Sequence, residues 1–408
     1  MCKYTLHFLL FKYSRRYNYS KPSRFSAYAF LEDTPTCRLT SSPSLKVNTV
    51  GIFLTPNFER GGSQRFFLKY IELLQKYVNK PNIVVLKFIK KKSYNIDNLS
   101  FTEFNSRSSL SVLKLRRYII KNNIKIIFAN QFQTNILALT IKIFFFKKIK
   151  IIIRETNSPS QIIKYEKNII KKVIHYLFRK LYKYADIIIS PSQELKKELI
   201  KNYNISQKKI KVIYNSFDRN KVVRLSKIKL DKKYNRLFKK KTFIFHGRLE
   251  FQKGLDILIK SFNIFNNLEY NLLILGEGSQ LNSLKILVKN LKLSNQVFFL
   301  GFKKNPYNFI KRADYYIFPS RYEGMSNSLL DAVALSKFII ASDCKHGNRE
   351  IMNIYKNGII FKSESLISLN NLFKNINSIY NIKTNNKIFD KFNEQINFSK
   401  INKILNNL

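Results

Sequence analysis

The sequence predicts an α/β protein of two doubly wound domains facing each other across a cleft. Three observations lead there. Short apolar strand-like runs alternate with helical patterns, once over 47–218 and again over 242–385, which argues for βαβ units and mostly parallel sheets. The character changes between the two series, where 219–241 is Lys- and Arg-rich with weak periodicity and reads as a linker. Length and composition allow two cores: the 408 residues are 45% hydrophobic and 24% charged, with 11 Gly and 9 Pro, which excludes collagen-like, linker-like and wholly disordered chains.

Taken in order, residues 1–46 carry no clear periodicity and read as a poorly ordered lead. Val47–Leu54 is the first strand, followed by Gly61-Gly62 and a helix marked by Phe66, Phe67, Tyr70, Leu73, Leu74 and Tyr77. Strands are expected at Ile83–Phe88, Ile124–Phe128, Ile149–Ile153, Ala185–Ser190 and Ile210–Ile213. Helices are expected at Leu110–Asn122, Thr134–Phe146, 164–184 and Glu194–Asn202. The second series has strands at Thr242–His246, Tyr270–Leu275, Val297–Leu300, Tyr315–Phe318 and Phe338–Ala341. Its helices fall at Gly254–Phe265, Ser279–Leu291, Asn305–Lys311 and Ser328–Ala334, and 386–408 reads as a helical tail. In open parallel sheets the ligand sits beyond the carboxyl ends of the strands, hence in the cleft between the two domains.

Charge narrows the function less than it first suggests. Lys and Arg number 74 against 25 Asp and Glu, a formal charge of +49. That favours nucleic acid, anionic membrane or phosphorylated partners. The abundance of Lys, Asn, Ile, Phe and Tyr, with no Trp, also fits codon choice in an AT-rich genome. A nucleic-acid module is disfavoured because no RNP-like aromatic motif, zinc finger or basic zipper is present and the cations are spread over the chain. Cys2, Cys37 and Cys344 form no CxxC or Cys/His cluster, so neither a disulfide framework nor a zinc site is supported and a reducing, cytoplasmic setting fits. The apolar stretches at Leu6–Phe11 and Ile136–Phe146 are too short to span a bilayer.

Two segments carry the chemistry. In His246-Gly247-Arg248-Leu249-Glu250-Phe251-Gln252-Lys253-Gly254, a strand end runs into a helix with Arg248 and Lys253 five apart. Both can curl around one anion, Arg as a fork and Lys as a point charge, while Gly247 and Gly254 permit tight turns. In Phe318 to Ala332 a strand end, loop and helix recur, with Ser326, Asn327 or Ser328 as the helix cap. The free N–H groups of that helix start can hold an anion. Glu323 in the loop and Asp331 on the helix can grip hydroxyls of an extended polar ligand.

These residues resemble the donor-binding domain of retaining GT-B glycosyltransferases, the family 4 or "glycosyl transferases group 1" proteins. Gly247, Arg248, Leu249, Lys253 and Gly254 match the family's G-R-L-x-x-x-K-G pattern, and Glu323 with Asp331 matches its E-x7-E with Asp in second place. Leu272–Gly278, Val297–Phe302 and Ala313–Ser320 match its flanking strands. Gly61-Gly62-Ser63-Gln64-Arg65 resembles its G-G-A-E-R loop, and Tyr214–Asp218 its P-N-G-V-D junction without the proline and glycine. The resemblance covers about residues 47–360.

The resemblance implies two Rossmann-like domains and transfer of a sugar, with retained configuration, from a nucleotide sugar, commonly UDP-linked. The implied acceptor is a lipid-linked or cell-envelope glycan of the lipopolysaccharide, O-antigen or capsule type. It makes Arg248, Lys253 and Glu323 the catalytic set: the cations neutralise the leaving diphosphate and Glu323 contacts the donor sugar. Asp331 would hold the ribose. Gly61, Gly62, Gly247 and Gly324 would line the donor, N–H groups at Ser326, Asn327 and Ser328 would cradle the distal phosphate, and Gly276, Gly278 and Phe302 would lie near the base. No metal or resident cofactor is implied, and no DxD motif is present. Thr156 stands where many members carry a histidine near the reacting sugar, Glu350 lies near a family acidic position, and His246 and His346 read as structural. The alternatives are a basic nucleic-acid-binding protein or a catalytically inactive GT-B partner. Finally, 164–184 reads as a basic amphipathic helix suited to an anionic membrane surface, here the inner face of the cytoplasmic membrane.

Overall fold

The structure is a computed structural model that describes residues 51–59, 61–75, 82–88, 99–106, 108–378 and 385–407. The expected lead at 1–46 and the start of the first expected strand lie outside the described residues. Seven strands, β1 (Gly51–Thr55), β2 (Asn82–Val85), β3 (Thr102–Glu103), β4 (Ile126–Asn130), β5 (Lys150–Arg154), β6 (Ile187–Ser190) and β7 (Ile210–Val212), form one sheet in the order β3-β2-β1-β4-β5-β6-β7. Six more, β8 (Lys241–His246), β9 (Tyr270–Leu275), β10 (Val297–Gly301), β11 (Tyr315–Phe318), β12 (Phe338–Ser342) and β13 (Gly358–Phe361), form a second in the order β10-β9-β8-β11-β12-β13. Every pairing between these strands is parallel. Parallel strands are covered on both faces, which is why runs such as Ile151-Ile152-Ile153 and Leu272-Leu273-Ile274 are wholly buried and read as unbroken apolar stretches. These two sheets with their covering helices are the GT-B architecture.

The helices of the first unit are α1 (Gly62–Gln75), α2 (Ser108–Lys121), α3 (Phe132–Phe144), α4 (Pro159–Tyr165), α5 (Ile169–Lys180) and α6 (Gln193–Tyr203). Those that follow are α7 (Arg219–Ser226), α8 (Leu255–Phe265), α9 (Leu281–Asn290), α10 (Tyr307–Arg312), α11 (Asn327–Ala334), α12 (Asn348–Tyr355), α13 (Leu366–Lys374), α14 (Lys387–Lys391) and α15 (Glu394–Asn406). Strand order reverses direction between β1 and β4 in one sheet and between β8 and β11 in the other. Those two switch points, at the carboxyl ends, are where such sheets bind ligands. The chain leaves β1 and β8 there, at Pro56 and Gly247.

Two expectations are corrected and two features are added. The single helix at 164–184 is broken: α4 ends at Tyr165, Glu166 is extended, and Asn168 caps α5 by accepting from the Lys171 N–H at 3.2 Å. Leu181–Tyr184 then tightens into a 3-10 turn. The 219–241 segment holds α7 and a 3-10 stretch at Lys232–Phe238, and its Val222 and Leu237 are buried in the second core. Eight residues with two buried positions are too few to show periodicity. The sequence reading also missed α12 and β13, the latter passing so close to β12 that a Cβ at Gly358 would meet the Ile339 carbonyl at 2.2 Å. Last, the chain returns: α15 packs on the first unit, with Ile401 in the cluster of Phe53 and Phe67 and Phe398 tilted against Tyr70 at 5.4 Å.

Candidate active site

The β8–α8 loop is shaped by backbone crowding. Gly254 adopts φ +65°, and a Cβ there would lie 2.2 Å from the Pro319 carbonyl oxygen. A Cβ at Gly276 would lie 1.8 Å from the Gly247 oxygen, and one at Gly278 2.4 Å from the Leu249 oxygen. These glycines therefore let the β9 and β11 loops press against the β8 loop. The Leu249 side chain is buried beneath, which leaves Arg248 exposed. Arg248 makes no ion pair or hydrogen bond among the described residues. Phe302 is 42% exposed beyond β10.

Lys253 does not wait free for an anion. Its Nζ donates to Glu323 Oε1 at 2.6 Å, and both side chains are nearly buried. Gln252 Nε2 donates to the other Glu323 oxygen at 3.3 Å and to the Tyr322 carbonyl at 2.8 Å. Lys253 and Glu323, which the sequence marks as separate candidates, thus form one pair. Gly324 follows immediately, against the first unit: a Cβ there would sit 2.1 Å from the Thr156 carbonyl oxygen. Ser326, of the three candidates, is the cap of α11, accepting from the Leu329 N–H at 3.3 Å. Ser328 Oγ lies beside Gly247, 3.4 Å from where a Cβ would be.

Asp331 is held across the cleft. Arg65 reaches from α1 as a fork, its Nη1 donating to Oδ2 at 2.9 Å and Nη2 to Oδ1 at 3.1 Å. Arg65 Nη2 also donates to the Tyr307 hydroxyl at 2.9 Å. Beside this pair, His246 Nε2 lies 3.8 Å from Asp331, and its Nδ1 is buried without a hydrogen-bond partner. Burial, reinforced by Arg65 and Lys253 and opposed by Asp331, lowers His246 to about 4. Asn327 Nδ2 donates to the Gly62 carbonyl at 2.8 Å, joining the two loops at the switch points. Gly62 leaves 3.0 Å between a would-be Cβ and that amide, and Gly61 leaves 2.7 Å to Gln64.

The floor on the first unit is a buried cation among neutral amides. Arg154, 1% exposed, donates to Asn215 Oδ1 at 2.6 Å and to Asn130 Oδ1 at 3.2 Å. Asn215 in turn donates to the Met325 carbonyl at 2.9 Å, so the junction residue ties β5 to the start of α11. Desolvation lowers Arg154 to about 9, although Glu155 opposes it. Glu155 is itself engaged by Arg179 Nε at 3.2 Å, the Tyr182 hydroxyl at 2.9 Å and the Thr156 N–H at 2.9 Å. Two further ties cross between the units. Glu350 accepts from the Tyr214 hydroxyl at 2.5 Å and the Gln193 N–H at 3.0 Å. His346 sits between Glu194, at 3.4 Å, and Glu198. Burial alone would lower His346, but hydrogen bonds to both carboxylates outweigh it and hold its pKa above the usual value.

Each of the two units matches a known family. The description "Glycosyl transferases group 1" matches residues 226–391, and "Glycosyltransferase Family 4" matches residues 59–221. The chain belongs to the GT-B glycosyltransferases of group 1, family 4. Among its relatives, an uncharacterized glycosyltransferase of Methanocaldococcus jannaschii is 37% identical over 50% of each chain. The match thus spans about half of that relative's length. N-acetylgalactosamine-N,N'-diacetylbacillosaminyl-diphospho-undecaprenol 4-alpha-N-acetylgalactosaminyltransferase of Campylobacter jejuni is 27% identical over 84% of this chain and 96% of its own. The Anabaena protein HepE, solved in complex with UDP-glucose, superposes with a TM-score of 0.74 over 88% of this chain and 100% of its own, at 17% identity. That likeness shows the shared fold.

In this glycosyltransferase the sequence gives no sign of two cations that the structure places at the cleft, Arg65 and Arg154. Arg65 ends the Gly61–Arg65 loop, and only its partner 266 positions away reveals its place. His246, expected to be structural, borders Asp331 at 3.8 Å. Arg154 carried no signal, since its partners lie at 63, 130 and 215. Among the described residues there is no cluster of three or more His, Cys, Asp or Glu that could hold a metal ion, and no helix long and apolar enough to cross a membrane.

Proposed function

We propose that this glycosyltransferase moves a hexose-type sugar from a nucleotide sugar, UDP-linked, to a lipid-linked or cell-envelope glycan of the lipopolysaccharide, O-antigen or capsule type, with retention of configuration. The observation that carries the reading is the convergence at one cleft of an exposed Arg248, the Lys253–Glu323 pair and the amino terminus of α11. The UDP-glucose bound by the Anabaena protein supports the donor class, and the diphospho-undecaprenol named for the Campylobacter relative supports the acceptor class.

In this reading the diphosphate enters between Arg248 and the free N–H groups of Asn327 and Ser328, and draws Lys253 toward it. Preorganised cations and dipoles there stabilise the charge that grows as the C1–oxygen bond to the phosphate breaks. The acceptor hydroxyl attacks C1 from the same face, and its proton passes to the departing phosphate oxygen. Glu323 orients the sugar hydroxyls and Asp331 takes the ribose once Arg65 yields it. The positive charge of Arg248, Lys253 and the helix start fills the place of a metal, so the activity needs no added cation. Acceptors of this kind sit in a leaflet, so the enzyme works at the inner face of the cytoplasmic membrane.

The test is release of UDP from a panel of UDP-sugars, with and without an undecaprenyl-diphosphate glycan, in EDTA. Donor-dependent UDP release and an NMR-defined retained anomer are expected. No release with any donor, together with no UDP heat in calorimetry and tight binding to duplex DNA, overturns the reading.

A further inference from the structure

We propose that Tyr165 is a positioning residue for Glu323: from the tip of α4 its ring packs at once on Phe251 and Tyr322, the residues that immediately precede Gln252 and Glu323 in two loops of the cleft. The Tyr322 ring is stacked on it, with centroids 5.4 Å apart and planes at 18°. Phe251 meets it edge-on, also at 5.4 Å, with planes at 68°. Both arrangements suit the quadrupoles of aromatic rings. Of the three rings, Tyr165 comes from the first unit and the other two from the second.

Core packing does not account for this placement. Of the seven residues of α4, Pro159 alone is buried. The helix is held at its two ends instead. At its start Glu198 accepts from the Ser160 N–H at 2.6 Å and from the Ser158 hydroxyl at 2.9 Å, which fixes that end to α6. At its end the Tyr165 hydroxyl donates to Glu364. Glu364 also accepts from Arg321 Nε at 3.1 Å, and the Arg321 guanidinium lies over the Phe251 ring at 4.0 Å. A closed circuit of contacts thus runs from Tyr165 through Glu364, Arg321 and Phe251 back to Tyr165. What it steadies is the pair of loops that carry the sugar-side groups. Gln252 Nε2, just after Phe251, donates to the Tyr322 carbonyl, to Glu323 and, at 3.5 Å, to Asn157 Oδ1 at the foot of α4. Without Tyr165 the Lys253–Glu323 pair would survive, but the loops bearing it would lose their fixed place, while Arg248 and Asp331 keep theirs. Tyr165 therefore links the seating of the first domain to the aim of Glu323 at the sugar. A misplacement of about 1 Å can cost roughly a hundredfold in rate. The inference rests on the proposed function for the role of Glu323 toward the donor sugar.

The experiment compares Tyr165→Ala and Tyr165→Phe in the full chain, in two arms. The first is hydrogen–deuterium exchange of the free protein, read over 250–254 and 320–326. Tyr165→Ala should exchange faster than wild type in both segments, and Tyr165→Phe, which keeps the stack, should exchange as wild type does. This arm needs no donor, so it decides the placement even where the sugar-transfer reading fails. The second is UDP release from UDP-glucose and UDP-N-acetylgalactosamine, beside calorimetry with UDP. Tyr165→Ala should lower kcat about ten- to a hundredfold while UDP affinity stays within about twofold, and Tyr165→Phe should keep most of the wild-type kcat. Unchanged exchange in Tyr165→Ala overturns the proposal. So does a kcat within about twofold of wild type, an equal loss of kcat and UDP affinity, or a phenylalanine variant as impaired as the alanine one.

Discussion

The two carboxylates of the cleft look alike in the sequence, eight positions apart, but they are held in opposite ways. Glu323 is satisfied inside its own domain by Lys253 and Gln252, whatever the cleft does. Asp331 is satisfied by Arg65 from the other domain, so opening the cleft strips it. The same division runs through the site. Its second-domain face is locked by backbone contacts at Gly254, Gly276 and Gly278, whereas Arg65–Asp331, Asn327–Gly62, Tyr214–Glu350 and His346–Glu198 all cross between domains. One carboxylate therefore belongs to a preformed floor and the other to a clasp.

The largest break in that comparison is Lys253→Ala. In the sequence Lys253 reads as an anion-binding cation in a loop, but the structure shows that its loss would strand the Glu323 charge in a buried site. Removing one partner of a buried pair costs about 3–5 kcal/mol. We expect a large fall in melting temperature together with loss of sugar transfer. Lys253→Met with Glu323→Gln should recover most of the stability and none of the activity. A single Lys253→Ala variant as stable as wild type would show that the pair is not held as described.

How much was legible follows the same line. Glycine-bounded loops were readable because close backbone approach leaves no choice of residue: Gly247, Gly254 and Gly324 stand in order along the chain, and each meets a neighbour's backbone or side chain. The strands were readable because burial on both faces makes them unbroken apolar runs. Arg154 and Arg65 were not, because their partners are amides and a carboxylate far away in sequence, and no local pattern marks which cation is paired. The helix at 164–184 was half legible: its apolar spacing was real, but the single Asn168 that stops and restarts it is a cap signal easily lost among so many asparagines.

Acid should separate the two histidines. His246 titrates near 4 in the folded protein against about 6.5 when unfolded, so the unfolded chain binds the proton first as pH falls. Stability is therefore lost between about pH 6.5 and 4, by up to about 3 kcal/mol, and His246→Gln should flatten that stretch of the melting curve. His346 has the opposite sign. Its folded pKa is raised, so its contribution is complete below the unfolded value and lost as pH rises through the folded one. Domain closure, followed by small-angle scattering, should loosen toward alkaline pH in wild type and not in His346→Gln.

Arg248→Ala sharpens the comparison from the other side, since this cation is tied to neither carboxylate. Its removal should leave the melting temperature unchanged. Loss of one charge-assisted contact, about 1.5–3 kcal/mol, corresponds to roughly ten- to a hundredfold weaker UDP binding. Binding and turnover both within twofold of wild type would remove Arg248 from the anion site.

The smallest effect on UDP tests the clasp itself. Arg65 is about one-third exposed but Asp331 is buried, so screening weakens the pair while the carboxylate depends on it. Arg65→Ala should therefore cost about 1–3 kcal/mol, less than Lys253→Ala. It should also free Asp331, and if ribose hydroxyls compete with Arg65 for that carboxylate, UDP should bind slightly tighter, by up to about fivefold. Asp331→Asn removes both uses and should weaken UDP, while Asp331→Glu should be tolerated. Calorimetry with UDP alone on the three variants reads this directly. Equal UDP affinity in wild type and Asp331→Ala would show that the carboxylate serves only the clasp, and weaker UDP binding in Arg65→Ala would show that Arg65 contacts the donor instead of competing with it.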